Sequence, residues 1–144
     1  MRKKVMAAVL TAAMVASVSA MPQMVAAADD EFKIGLITDV GGVNDGSFNQ
    51  SAWEGLEKAG EELGVEVNYL ESATDADYQP NMETFVDEDY DLIISVGYML
   101  ADATRAAAEA NPDTKFAIID DATIDLPNVT SLMFRAEQAS YLVG

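Results

Sequence analysis

The chain has 144 residues, half of them apolar, with 25 acidic against eight basic side chains and a formal charge of −17. It contains neither cysteine nor histidine, which removes disulfides, thiol nucleophiles, thiolate metal sites and the commonest general base. So acidic a surface repels phosphate backbones and anionic lipid, so neither a nucleic-acid partner nor a phosphorylated ligand is expected.

Arg2, Lys3 and Lys4 precede a mostly apolar run from Val5 to Met21, broken by Pro22 ahead of the small residues Ala26, Ala27 and Ala28. This is the pattern of a secretory signal peptide, residues 1–28, with cleavage expected after Ala28. The run is shorter and richer in alanine than the ~20 strongly apolar residues a membrane span wants. Residues 29–144 keep five basic side chains against 25 acids, a net −20. With no cysteine to carry lipid, a direct lipid anchor through cysteine is not expected, and the product reads as exported: periplasmic or cell-surface associated, or secreted if untethered.

Ile34, Leu36 and Ile37 form the short apolar run of a covered strand, released at Gly41 and Gly42. Ser47 and Gln50 have the spacing of a capping box and predict a helix from Phe48 to about Leu63, its inner face carrying Ala52, Leu56, Ala59 and Leu63, with Gly64 as terminator. Val65, Val67 and Tyr69 alternate as a second strand. A polar loop over 72–77 leads to a helix around Gln79 to Val86, with Pro80 in its first turn. Leu92 to Val96 predicts a third buried strand ending at Gly97, Leu100 to Ala110 a helix stopped by Asn111 and Pro112, and Phe116 to Ile119 a fourth strand ending at Asp120 and Asp121. Val129 to Phe134 reads as a fifth strand before a helix that begins near Glu137. Strands alternating with helices imply right-handed crossovers and a doubly wound parallel α/β sheet.

In such sheets ligands bind outside the carboxyl ends of the strands, which is where Asp39, Gly97, Tyr98 and Asp120 fall. Asp39 reads either as an acceptor for ligand hydroxyls or as a cap on its own turn. Phe48 reads as a hydrophobic staple or as a stacking platform for a planar ring. Asn49 shares its exposed first turn. Gly97 allows close backbone approach and Tyr98 could line the cleft, with plain helix entry as the bland alternative. Asp120 continues its strand and is the ligand candidate of its pair, whereas Asp121 reads as a turn residue. Asp45 is a loop cap or a partner of the site, and Trp53 is packing. Two adjacent carboxylates without a third oxygen ligand nearby are weak evidence for a metal site, and neither a metal nor a cofactor is expected.

The run Thr38-Asp-Val-Gly-Gly-Val-Asn-Asp-Gly-Ser-Phe-Asn-Gln-Ser-Ala-Trp-Glu-Gly55 carries a specific resemblance. Together with Asp91 to Tyr98, Lys115 to Asp121 and Ala139 to Gly144, it resembles the basic membrane protein family, substrate-binding lipoproteins that serve ABC transporters and bind purine nucleosides. The resemblance covers Phe32 to Gly144. It implies the type I periplasmic-binding-protein fold, of which 29–144 would be the first lobe, incomplete at its C-terminus, with the ligand held in an interlobe cleft. It implies further that Phe48 stacks on the base, Asp39 binds ribose, Asn49 stands in the pocket wall, and an aspartate at Asp120 meets the ligand. The partners implied are a nucleoside and an ABC permease in the membrane. Carboxylates and an aromatic ring suit a neutral nucleoside better than a nucleotide, and no enzymatic activity is expected. Receiver-like phosphorylation is at odds with export, and a glycosidase would need two carboxyl groups across a sugar bond. The alternative of a ligand-binding sensor module of the same fold shares every one of these features.

Overall fold

The computed structural model describes residues 31–143; the leader expected at 1–28 and its cleavage site lie outside the described residues. Five parallel strands form one sheet: β1 (Lys33–Ile37), β2 (Glu66–Leu70), β3 (Leu92–Val96), β4 (Lys115–Ile119) and β5 (Val129–Leu132), in the order β2-β1-β3-β4-β5. The connecting helices are α1 (Phe48–Leu63), α2 (Tyr78–Asp87) and α3 (Ala101–Ala110), and α4 (Ala136–Val143) comes after β5. The apolar runs in β1, β3 and β4 become central strands because both faces are covered.

Each central strand sends alternate residues to opposite faces. Ile34, Leu36 and Val96 meet Leu56 of α1, with Trp53, Val67, Tyr69 and Ile119 packed around them. On the other face Ile37, Ile93 and Phe116 meet Tyr78, Met82 and Phe85 of α2 and Ala107 and Ala108 of α3. Gly35 is there because the Phe85 ring lies directly over it: a Cβ at Gly35 would stand 2.7 Å from that ring. One polar pair crosses this second face. Thr104 donates to the Leu100 carbonyl at 2.9 Å, so the hydroxyl of Ser95, 2.7 Å from Thr104, is the donor between them. Asn128 closes the far side, its amide nitrogen reaching the carbonyls of Ala108, Asn111 and Thr114 at 3.0 to 3.1 Å.

Several local expectations are corrected. Ser47 makes no side-chain cap on α1; Asp45, two residues upstream, takes the free amides instead. Leu63 is 72% exposed and lies off the inner face, because the chain leaves the sheet at Gly64, whose left-handed backbone (φ 69) ends the helix as its position predicts. The polar loop contains a 3₁₀ turn over Asp75–Asp77, and α2 starts at Tyr78, one residue early. β5 stops at Leu132 and leaves Met133 and Phe134 beyond the strand.

Candidate functional site

Thr38 follows β1, fully buried, its amide bonded to the Leu70 carbonyl of β2 at 3.1 Å, and it delivers Asp39 at the carboxyl edge of the sheet. Asp39 has two different oxygens. Oδ1 accepts from the Gly41 amide at 2.9 Å and from the Asn49 side-chain amide at 2.7 Å. Oδ2 has no donor among the described residues and stands 3.7 Å from where a Cβ at Gly97 would be. Gly97 has φ 96 and ψ 152, a backbone that side-chain-bearing residues rarely adopt, so a glycine ends β3 and its bare backbone faces the free oxygen.

Asn49 is the strut of this corner. Its amide nitrogen bridges Asp39 at 2.7 Å and Asp45 at 3.1 Å, while its carbonyl oxygen accepts from the Asp39 amide at 3.4 Å. It is only 1% exposed. Its amide nitrogen is engaged by both flanking carboxylates, which need a donor between them. Asp45 accepts from the amides of Ser47, Asn49 and Gln50 at 2.8 to 3.1 Å. Partial desolvation pushes its pKa up, but the Gln50, Ser47 and Asn49 backbone amides and the Asn49 side chain outweigh this and hold it below the ordinary aspartate value. A negative charge held at the start of α1 also suits the helix dipole.

Phe48 opens α1 and is 48% exposed. The ring of Phe134 meets it nearly edge-on, centroids 5.7 Å apart and planes at 75°. With Ser47, Ser51, Ala52 and Ile119 these two rings line a crevice of about 440 Å³. Sequence reasoning missed Phe134. Its signal was available: an aromatic two residues past β5 lies at the carboxyl edge of the sheet, as Asp39 and Asp120 do.

Asp120 comes directly after Ile119, in a left-handed conformation (φ 64), with its amide bonded to the Leu132 carbonyl at 2.9 Å. Its carboxylate has no donor among the described residues. Asp121 is turned away and buried, accepting from the amide and hydroxyl of Thr123 at 2.8 Å, which is the turn role its position suggests. Tyr98 is 67% exposed at the start of a single 3₁₀ turn, Tyr98–Leu100, and no hydrogen bond links it to Asp39 or Asp120 among the described residues. The structure thus gathers Asp39, Asn49 and Gly97 in one corner and Phe48 with Phe134 and Ile119 in the next. Trp53 packs against Tyr69, centroids 4.7 Å apart. Among the described residues no group of three or more His, Cys, Asp or Glu could hold a metal, and no helix is long and apolar enough to cross a membrane.

Comparison with known proteins gives concordant matches. The profile of the Bmp family, described as ABC transporter substrate-binding protein PnrA-like, matches residues 32–144. The chain is 48% identical over 119 residues to the CD4+ T-cell-stimulating antigen of Listeria monocytogenes, covering 79% of this chain and 33% of that protein. It is 42% identical over 118 residues to the ABC transporter nucleoside-binding protein BmpA of Lactococcus lactis, covering 79% and 34%. The crystal structure of an ABC transporter solute-binding protein from Aeropyrum pernix matches with a TM-score of 0.71 at 34% identity, over 78% of this chain and 31% of that one. The chain spans about a third of the length of the curated relatives it matches.

Proposed function

The chain belongs to the Bmp family of PnrA-like ABC transporter substrate-binding proteins, and from that footing we propose that it supplies one wall of an extracytoplasmic site for a neutral nucleoside. The observation that carries this is a half-exposed aromatic ring, Phe48, next in sequence to the amide that fixes a carboxylate with one unclaimed oxygen, Asp39. The ring offers a face to a planar base, and Oδ2 of Asp39 accepts from a ribose hydroxyl. Asp120, with its unpaired carboxylate one residue past Ile119, meets a second hydroxyl or a base edge. Gly97 lets the ligand approach backbone, and Tyr98 borders the cleft on the β3 side. A relative named as nucleoside-binding supports the ligand class.

In this reading the protein holds and releases its ligand without making or breaking a bond. It is exported behind a leader spanning 1–28, hands the ligand to an ABC permease, and completes its cleft with polypeptide corresponding to the remaining length of the relatives. The unpaired carboxylates and the net charge of −17 disfavour phosphorylated ligands.

Calorimetry on the protein at the length of its relatives, with adenosine, guanosine, inosine and their monophosphates, is the test. Base stacking on an aromatic is worth about 1 to 3 kcal/mol, so Phe48→Ala should weaken nucleoside binding roughly tenfold to a hundredfold. Equal affinity for the monophosphates, or unchanged binding by Phe48→Ala, would sink the assignment.

A further inference from the structure

Phe134 is a large apolar side chain that the core does not use. It stands two residues past β5, is 59% exposed, and belongs to neither of the clusters that cover the two faces of the sheet. So exposed a phenylalanine contributes little to folding, because the hydrophobic gain comes only from apolar area removed from water. Its ring instead meets the ring of Phe48, centroids 5.7 Å apart and planes at 75°, an edge-to-face arrangement that the charge distribution of aromatic rings favours.

The two rings hang from separate supports. Phe48 is the first residue of α1, where the Ser51 amide donates to the Ser47 carbonyl at 3.0 Å. Phe134 follows the end of β5, where Leu132 is in register with Ile119 of β4 and its carbonyl accepts from the Asp120 amide at 2.9 Å. Ile119 lines the same crevice as both rings. A half-exposed ring at a helix start can turn about its side-chain torsions, and a second ring set against it from another element restricts that freedom. A platform already oriented before the ligand arrives loses less entropy on binding.

We propose that Phe134 is a positioning residue for ligand binding: it buttresses Phe48 and holds that ring in the orientation that receives the base. The inference rests on the reading of Phe48 as the stacking platform. It accounts for an aromatic exposed beside the crevice instead of packed in either core, and it makes the end of β5 part of the site.

The test is Phe134→Leu and Phe134→Tyr in the protein at the length of its relatives, read by nucleoside calorimetry and by thermal melting without ligand, with Phe134→Leu made also in the Phe48→Ala background. Leucine keeps apolar bulk without the ring, and tyrosine keeps the ring. Phe134→Leu should lower nucleoside affinity roughly three- to tenfold while the melting midpoint stays within about 2 °C of wild type, and Phe134→Tyr should hold affinity within about twofold. In the Phe48→Ala background Phe134→Leu should cost no further affinity, because no ring is left to position. Unchanged affinity in Phe134→Leu, or an equal loss in Phe134→Tyr, would overturn the inference. So would a full further loss in the Phe48→Ala background, which would mean that Phe134 touches the ligand itself, or a midpoint lowered by more than about 5 °C, which would make its role one of folding. If Phe48→Ala itself binds nucleoside like wild type, the reading of the site fails and the inference falls with it; if Phe48→Ala is crippled while Phe134→Leu is not, only the inference fails.

Discussion

Asn49 shows how a single amide can hold an acidic corner together. Two carboxylates approach it, and its nitrogen donates to both. Asn49→Asp would keep the shape, replace the donors by a third carboxylate and leave the Asp39 and Asp45 oxygens facing like charge. A loss of about 1 to 3 kcal/mol in stability is expected at neutral pH, with nucleoside affinity falling alongside. Thermal melts across pH should show the deficit shrinking as acid neutralises the cluster. Asp45 gives the sign of a second pH effect. Its folded pKa is held below the ordinary value of 3.8, so its stabilising contribution is present above that value and is lost as pH falls through the folded one. Wild-type protein should therefore lose stability below about pH 4 more steeply than Asp45→Asn, and the two should run parallel between about pH 5 and 8. Gly35 is a residue whose role is purely steric. Gly35→Ala would press a methyl into the buried Phe85 ring, and urea unfolding should report a loss of about 1 to 3 kcal/mol.

At the scale of the element, α1 separates the residues that its sequence spacing groups together. Leu56 and Leu63 both fit the apolar stripe, yet Leu56 is 6% exposed and Leu63 72%. The helix outruns the strands it covers, so its last turn projects past the packed face. Leu56→Ala should cost about 2 to 4 kcal/mol in urea unfolding, while Leu63→Ser should stay within about 0.5 kcal/mol; a large effect at Leu63 would mean that this turn is covered in solution. The start of α1 is equally instructive. Ser47 and Gln50 have capping-box spacing, but the amides go to Asp45, whose longer side chain and full charge make it the stronger acceptor. Gln50 instead accepts from the Gly46 amide at 3.2 Å.

For the whole molecule the governing quantity is charge. With −17 overall, and a single ion pair among the described residues, Lys58 with Glu62 at 3.6 Å on an exposed helix face, the acids repel one another with little internal neutralisation. Salt should therefore stabilise the protein. Raising NaCl from about 20 mM to about 500 mM shortens the screening length from roughly 20 Å to under 5 Å, and the melting midpoint should rise; a midpoint that falls or stays level would show that local attractions outweigh the net repulsion.

The alternating apolar runs were sufficient to order the elements, make the sheet parallel and put Asp39, Gly97 and Asp120 at strand ends, because strand periodicity and crossover handedness are local rules that act on neighbouring residues. The run from Thr38 to Gly55 also sufficed to identify the family. Tertiary structure alone decided which of these residues remain free to bind. Asn49 faces inward because the carboxylates of Asp39 and Asp45 converge on it, Asp121 is consumed by Thr123 while Asp120 is not, and Phe134 meets Phe48 only because β5 lies beside β4. Spacing along a chain fixes the direction in which a side chain leaves its own element; whether that side chain is then spent or spare depends on donors and acceptors brought in from elsewhere, and only packing brings them.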